Sequence, residues 1–84
     1  MVDGLLGANE LKDHLELHAL PREEEADYHT VGGMVMYNLG RVPMAGDRFG
    51  WEGYTFEVLD MDGRRVDKVL VVPSPERLGS EHAP

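Results

Sequence analysis

Cysteine is absent from this 84-residue chain, aromatic residues make up only 7% of it, and basic residues are outnumbered two to one by acids. Each scarcity excludes something. Without cysteine, neither a disulfide nor a thiolate metal site can staple the fold, which fits a reducing compartment. No run of about 18 apolar residues occurs, so nothing reads as a membrane-spanning helix. The first residues lack a basic stretch followed by an apolar one, so no signal peptide is expected. Eight Lys and Arg stand against sixteen Asp and Glu, a formal charge of −8. Nucleic-acid binding needs a basic footprint, and so does adhesion to anionic lipid, so both are disfavoured. Direct membrane insertion is not expected either.

A chain of this length allows one small domain that buries only about 60–65% of its unfolded surface. Met1 to Gly4 reads as the end of a strand. Asn9 is a candidate N-cap for a first helix from Glu10 to about His18, with Leu11, Leu15 and His18 on one face. Leu20-Pro21 follows as its stop. Arg22 to Asp27 carries four acids and reads as an exposed linker within the domain. Thr30 is the expected cap of a second helix, with Val31, Met34, Val35, Asn38 and Leu39 at helical spacing. Gly40 and then Pro43 mark its end.

Beyond Pro43 the apolar period changes from 3.6 to 2. Phe49 and Trp51 share a face, Glu52-Gly53 suits a two-residue hairpin turn, and Tyr54, Phe56 and Val58 alternate with polar neighbours. At Val58-Leu59 the pattern slips, which predicts a bulge or burial on both faces. Val66 to Val72 is the last strand, and its Val69-Leu70-Val71-Val72 run suggests cover on both faces. The expected architecture is α+β, two helices packed on a small, mainly antiparallel sheet. The domain is placed at residues 1–73 and a flexible tail at 74–84.

Little of this carries chemistry. Asp60-Met61-Asp62-Gly63 looks like half a calcium loop. With Gly63 in the glycine position, however, Val58 and Val69 would fall at ligand positions, and strands rather than helices flank the loop. An Asp62-Gly63 turn between strands is the ordinary reading. Arg64 and Arg65 are candidate anion ligands, although neighbours on a strand point to opposite faces. Thr30, Gly32 and Gly33 are also candidates: glycines at a helix start bare the N–H groups at its positive end, or else they allow close packing. His14 and His18 lie one helical turn apart without a third ligand. No nucleophile elbow is present, and no catalytic constellation assembles, so the chain reads as a non-enzyme.

Several motifs together have a family character: Thr30 with Gly32 and Gly33, Leu39-Gly40-Arg41-Val42-Pro43, Gly46-Asp47, and the segment FEVLDMDGRRVDKV from Phe56 to Val69. The stretch resembles the CorC/HlyC transporter-associated domain. The resemblance implies a C-terminal module of bacterial membrane proteins, following a membrane region and a pair of CBS domains. It would lie on the cytoplasmic side of the inner membrane. It further implies association with magnesium and cobalt efflux or with hemolysin-like proteins, and a regulatory or assembly role through packing on CBS domains or a second copy. The family's fold is similar to a subdomain of FAD-binding proteins. By that analogy FAD or an adenine nucleotide is an alternative ligand, with Thr30, Gly32, Gly33, Arg64 and Arg65 as its expected contacts.

Overall fold

A computed structural model describes residues 1–25 and 27–74. The elements are β1 (Val2–Asp3), α1 (Ala8–His14), α2 (Val31–Leu39), β2 (Arg48–Trp51), β3 (Tyr54–Asp62) and β4 (Arg65–Pro73). The four strands form one antiparallel sheet in the order β1-β4-β3-β2, and both helices lie against it. The α+β architecture is as expected.

The core forms where the helices meet the sheet. Leu11 comes from α1; Val31, Met34 and Val35 come from α2; Phe56, Val58, Val66 and Val69 come from β3 and β4. Each is almost wholly buried, and each contributes about 1.5–3 kcal/mol relative to an exposed side chain. Phe49 stands opposite Phe56 across β2 and β3, the rings stacked with centroids 5.1 Å apart. The indole N–H of Trp51 donates to the carbonyl of Ala19 at 2.9 Å, tying the segment after α1 to the β2 edge.

The two helix starts satisfy each other. The N–H of Ala8 donates to His29 O at 2.9 Å and that of Val31 to Leu6 O at 2.9 Å, across a bridge between Gly7 and Thr30. This exchange meets a need that side-chain caps usually meet. It places the α1 cap at Gly7, with no side-chain bond, so Asn9 lies inside the helix.

The first helix is also shorter than its periodicity predicts. It ends at His14, because Glu16 takes a left-handed conformation (φ 55). The N–H groups of Glu16 and Leu17 then turn back to Asp13 O and Lys12 O at 3.1 and 3.0 Å, which is a Schellman closure. His18 therefore lies beyond the helix and is exposed, and it continues neither the Leu11–Leu15 face nor a face from His14. By contrast, α2 follows expectation: Thr30 Oγ1 accepts from Gly33 N at 3.1 Å, and Gly40 at φ 74 ends it.

β3 and β4 explain the slip at Val58-Leu59. Val58 pairs with Val69, Asp60 with Lys68, and Met61 with Val66. Leu59 is thus an extra residue on β3 and Asp67 an extra residue on β4. The two bulges cancel, so Val58 and Met61, and Val66 and Val69, all face the core three positions apart. The expectation of cover on both faces fails for β4, where Val72 is 38% exposed; on the neighbouring β3, Leu59 is exposed to the same degree. Among the described residues no element lies over that outer face. The β3–β4 turn has Gly63 and Arg64 at its tip, between the paired Asp62 and Arg65, one residue later than the sequence suggests. Gly63 carries the positive φ, 65. The expected tail lies, from Pro75 onward, outside the described residues.

Candidate functional site

α2 has two different faces. Val31, Met34 and Val35 point into the core. Gly33, Met36 and Tyr37 line an open groove of about 730 Å³, Met36 also packing against the core. One wall is the extended segment Asp27–Thr30, and the far end is Arg41 and Val42, just past the helix. Tyr28 folds over Gly33, where a Cβ would come within 3.1 Å of the Tyr28 Cβ, and its hydroxyl donates to Pro21 O at 2.7 Å. Burial, with Glu23 nearby, raises the Tyr28 pKa above its ordinary value. Its ring lies 6.2 Å from that of Tyr37 in a tilted arrangement. The guanidinium of Arg22 sits 6.0 Å from the Tyr37 centroid, within range of a cation–π contact.

The far end of the groove is braced. Asp47 accepts from Arg41 at 2.7 Å and from the N–H of Met44 at 2.8 Å. Those two bonds hold its carboxyl below the usual carboxylate range, and the Asp47 carboxylate in turn raises the Arg41 pKa. Val42, Tyr37 and Met44 are exposed by 38%, 39% and 69%. Isolated apolar residues on a surface, such as Met44, need no explanation, but Tyr37 and Val42 together along one groove are of the kind that marks an interaction surface.

The candidate residues read from sequence fall in two places. Thr30 and Gly33 belong to the groove, while Gly32 faces inward. The N–H groups of Val31, Gly32 and Gly33 donate to Leu6 O, Gly4 O and Thr30 Oγ1 at 2.9, 2.8 and 3.1 Å. Those donors are engaged within the chain, and the space argues the same way. A Cβ on Gly32 would sit 3.0 Å from Gly4 O and 3.3 Å from the Val66 Cβ. The geometry thus supports close packing at this helix start over capture of an anion.

Arg64 and Arg65 lie apart from the groove, at the exposed tip and shoulder of the β3–β4 hairpin. Arg65 donates to Asp62 at 2.9 Å. Among the described residues no group of three or more potential metal ligands occurs, and no helix is long and apolar enough to cross a membrane. Sequence reasoning missed Tyr28, Met36 and Tyr37. A signal existed: Met36 and Tyr37 are large apolar residues off the stripe that α2 buries.

Comparison with known proteins agrees with this fold. The family model described as the CorC_HlyC transporter-associated domain matches residues 1–75. The UPF0053 protein sll0260 of Synechocystis sp. is 47% identical over 76 residues, covering 90% of this chain and 17% of that protein. A polyamine export protein of Salmonella typhimurium is 32% identical, covering 90% of this chain and 18% of that protein. The chain therefore spans less than a fifth of the length of these relatives. Among solved structures, a CorC_HlyC domain from Haemophilus ducreyi superposes with a TM-score of 0.77 at 32% identity, covering 87% of this chain and 84% of that one. A transporter-associated domain from a Xylella fastidiosa hemolysin, solved in complex with Mg and Mn, gives 0.72 at 37% identity with the same coverage. This chain belongs to the CorC_HlyC transporter-associated domain family.

Proposed function

We propose that this domain is a non-catalytic regulatory or assembly module of a bacterial transporter or hemolysin-like membrane protein, on the cytoplasmic side of the inner membrane. It works by docking. A CBS-domain pair of the parent protein, or a second copy of the domain, seats on the outer face of α2 and couples its own state to the membrane region. The observation that carries this reading is the open, apolar, aromatic groove along α2, whose far end the Arg41–Asp47 pair braces. The family match supports a role alongside a transporter. The names of the relatives (a polyamine exporter, a hemolysin domain seen with Mg and Mn) fit cationic cargo. The nucleotide reading draws no support from the start of α2, where the first three N–H groups are engaged.

The test is retention of a purified CBS-domain pair by the immobilised domain, together with its mass by light scattering after gel filtration. Docking predicts retention or a dimer, and either lost when Tyr37 and Val42 are both changed to Ser. An inert monomer that retains no CBS pair would overturn it.

A further inference from the structure

We propose that two copies of this domain pair weakly through the outer faces of their sheets, about a two-fold axis. That face lies on the far side of the sheet from α2, so the pairing is independent of whatever seats on the helix groove. The register fixes which residues belong to it. Phe56, Val58 and Val69 point into the core, and Phe49 and Val71 pack against it. Their strand neighbours Arg48, Glu57, Leu70 and Val72 therefore point outward. Leu70 stands opposite Glu57, and Val72 opposite Thr55. The surface is thus an apolar strip on β4 beside a charged strip on β3 and β2.

The charges say what covers it. Arg48 and Glu57 are direct cross-strand partners, a position in which opposite charges commonly pair. Here, among the described residues, neither side chain has an ion-pair or hydrogen-bond partner. A two-fold contact uses one patch twice, residue i meeting j and j meeting i. A patch that holds an unpaired cation next to an unpaired anion is complementary to itself. Arg48 of one copy reaches the partner's Glu57, the reverse pair forms by symmetry, and the Leu70–Val72 strip packs alongside. Net charge opposes this face less than the helix side. Residues 1–43, which include both helices, hold eight acids against three Lys and Arg, and residues 44–74 hold six against four. Strands β2, β3 and β4 offer about 15 by 30 Å, or roughly 450 Å² per copy. A standard stable interface buries about 800 Å² per partner, so this pair is transient and needs a high local concentration.

The experiment is sedimentation equilibrium with an NMR dilution series of the 84-residue domain, from about 1 mM to about 10 µM, the range of weak contacts. The expected result is a monomer–dimer equilibrium, with concentration-dependent shifts at the amides of Glu57, Leu70 and Val72. Arg48→Glu and Glu57→Arg should each weaken self-association about tenfold. Mixed in equal amounts, the two variants should associate at least as tightly as the unaltered domain. Within each variant the cross-strand neighbours then repel, so only pairing between copies can produce that rescue. Val72→Thr, a change of similar shape at an exposed strand position, should also weaken association and serves if a charge reversal unfolds the chain. A wild-type monomer throughout the range would overturn the proposal, as would a mixture no tighter than its components. Association lost in the Tyr37→Ser, Val42→Ser double variant but kept in the charge variants would also overturn it, and would leave docking on α2 standing. Gel filtration dilutes the chain below this range, so a dimer that survives it belongs to α2.

Discussion

Gly4 and Gly32 meet backbone to backbone: the N–H of Gly32 donates to the carbonyl oxygen of Gly4 at 2.8 Å. Gly4 in turn donates to Asp67 O at 2.7 Å, on the bulge of β4. The start of α2, the end of β1 and the irregular point of β4 are thereby fastened at one place. A Cβ on Gly4 would overlap the carbonyl oxygen of Val66, whereas one on Gly32 would reach a tight 3.0 Å from Gly4 O.

Gly4→Ala should accordingly be among the most damaging small substitutions in the chain. Overpacking against backbone costs about 1–3 kcal/mol or more, and the carbonyl of Val66 cannot turn aside as a side chain could. Gly32→Ala should cost less, because the gain in helix propensity, about 1 kcal/mol, offsets part of the crowding. Gly50→Ala is the control. Its Cβ would find only ordinary contact, 3.7 Å from Tyr54 O, and a strand favours Ala over Gly by about 0.5–1 kcal/mol. Urea melts of the three variants should rank Gly50→Ala above wild type, then Gly32→Ala, then Gly4→Ala.

The hairpin tips offer an opposed pair. Gly63 holds φ 65 at the β3–β4 turn, so Gly63→Val should lose about 1–2 kcal/mol, while Asp60→Asn, on the exposed bulge, should stay within about 0.5 kcal/mol of wild type. At the β2–β3 turn, Glu52 and Gly53 hold φ 49 and 83, the signs of a type I′ turn. Glu52 pays a left-handed strain there that asparagine bears more easily, so Glu52→Asn should raise the melting temperature. Equal midpoints for Gly63→Val and Asp60→Asn would count against the turn geometry.

Thr30 should act as a helix cap. Thr30→Ala should cost about 1 kcal/mol and Thr30→Ser much less, since the serine hydroxyl can still accept from Gly33. Thermal melts measure this directly. If neither ATP nor FAD at millimolar concentration shifts the melt or Trp51 fluorescence, the nucleotide alternative is removed.

Acid stability should depend on Asp47 and Asp3. The Asp47 carboxyl is held below its reference value of 3.8 by Arg41 and the Met44 N–H; Asp3 is held below 3.8 chiefly by the Leu5 N–H. A carboxyl depressed in the folded state stabilises it fully at pH values above the unfolded pKa, and the benefit is lost as pH falls through the folded pKa. Stability should therefore decline as pH drops below about 4. Asp47→Asn should shallow that decline while lowering stability at neutral pH. An unchanged acid limb in Asp47→Asn would contradict the assignment.

How much of this was legible beforehand depends on whether a local signal existed. α2 was legible because Thr30 and Gly40 are both strong terminus residues and both act as such. The end of α1 was not, because Glu16 and not glycine takes the left-handed position. Nor was its start, because a partner backbone replaces the expected cap of Asn9. The Val58-Leu59 slip was read, but the matching extra residue at Asp67 was not, although period 2 from Val66 lands on Lys68 and the next valine stands three positions on, at Val69. The groove was missed for a different reason. Its lining comes from an acidic linker, the outward face of a helix and a turn, which only the fold brings together. The α+β architecture was legible from the change of apolar period after Pro43, and the family resemblance, carried by short motifs, agreed with it.

The paired bulges of β3 and β4 have a genetic consequence. Each strand carries one residue more than a straight ladder needs, and the two surpluses cancel. Deleting Leu59 alone should put the hairpin end out of phase with the rest of the sheet, as should deleting Asp67 alone. Deleting both should restore phase, at the cost of the bond from Gly4 to Asp67. Leu59 and Asp67 are therefore expected to behave as a suppressor pair, in which a second lesion eight positions away repairs a frame error that the first creates in space rather than in the code.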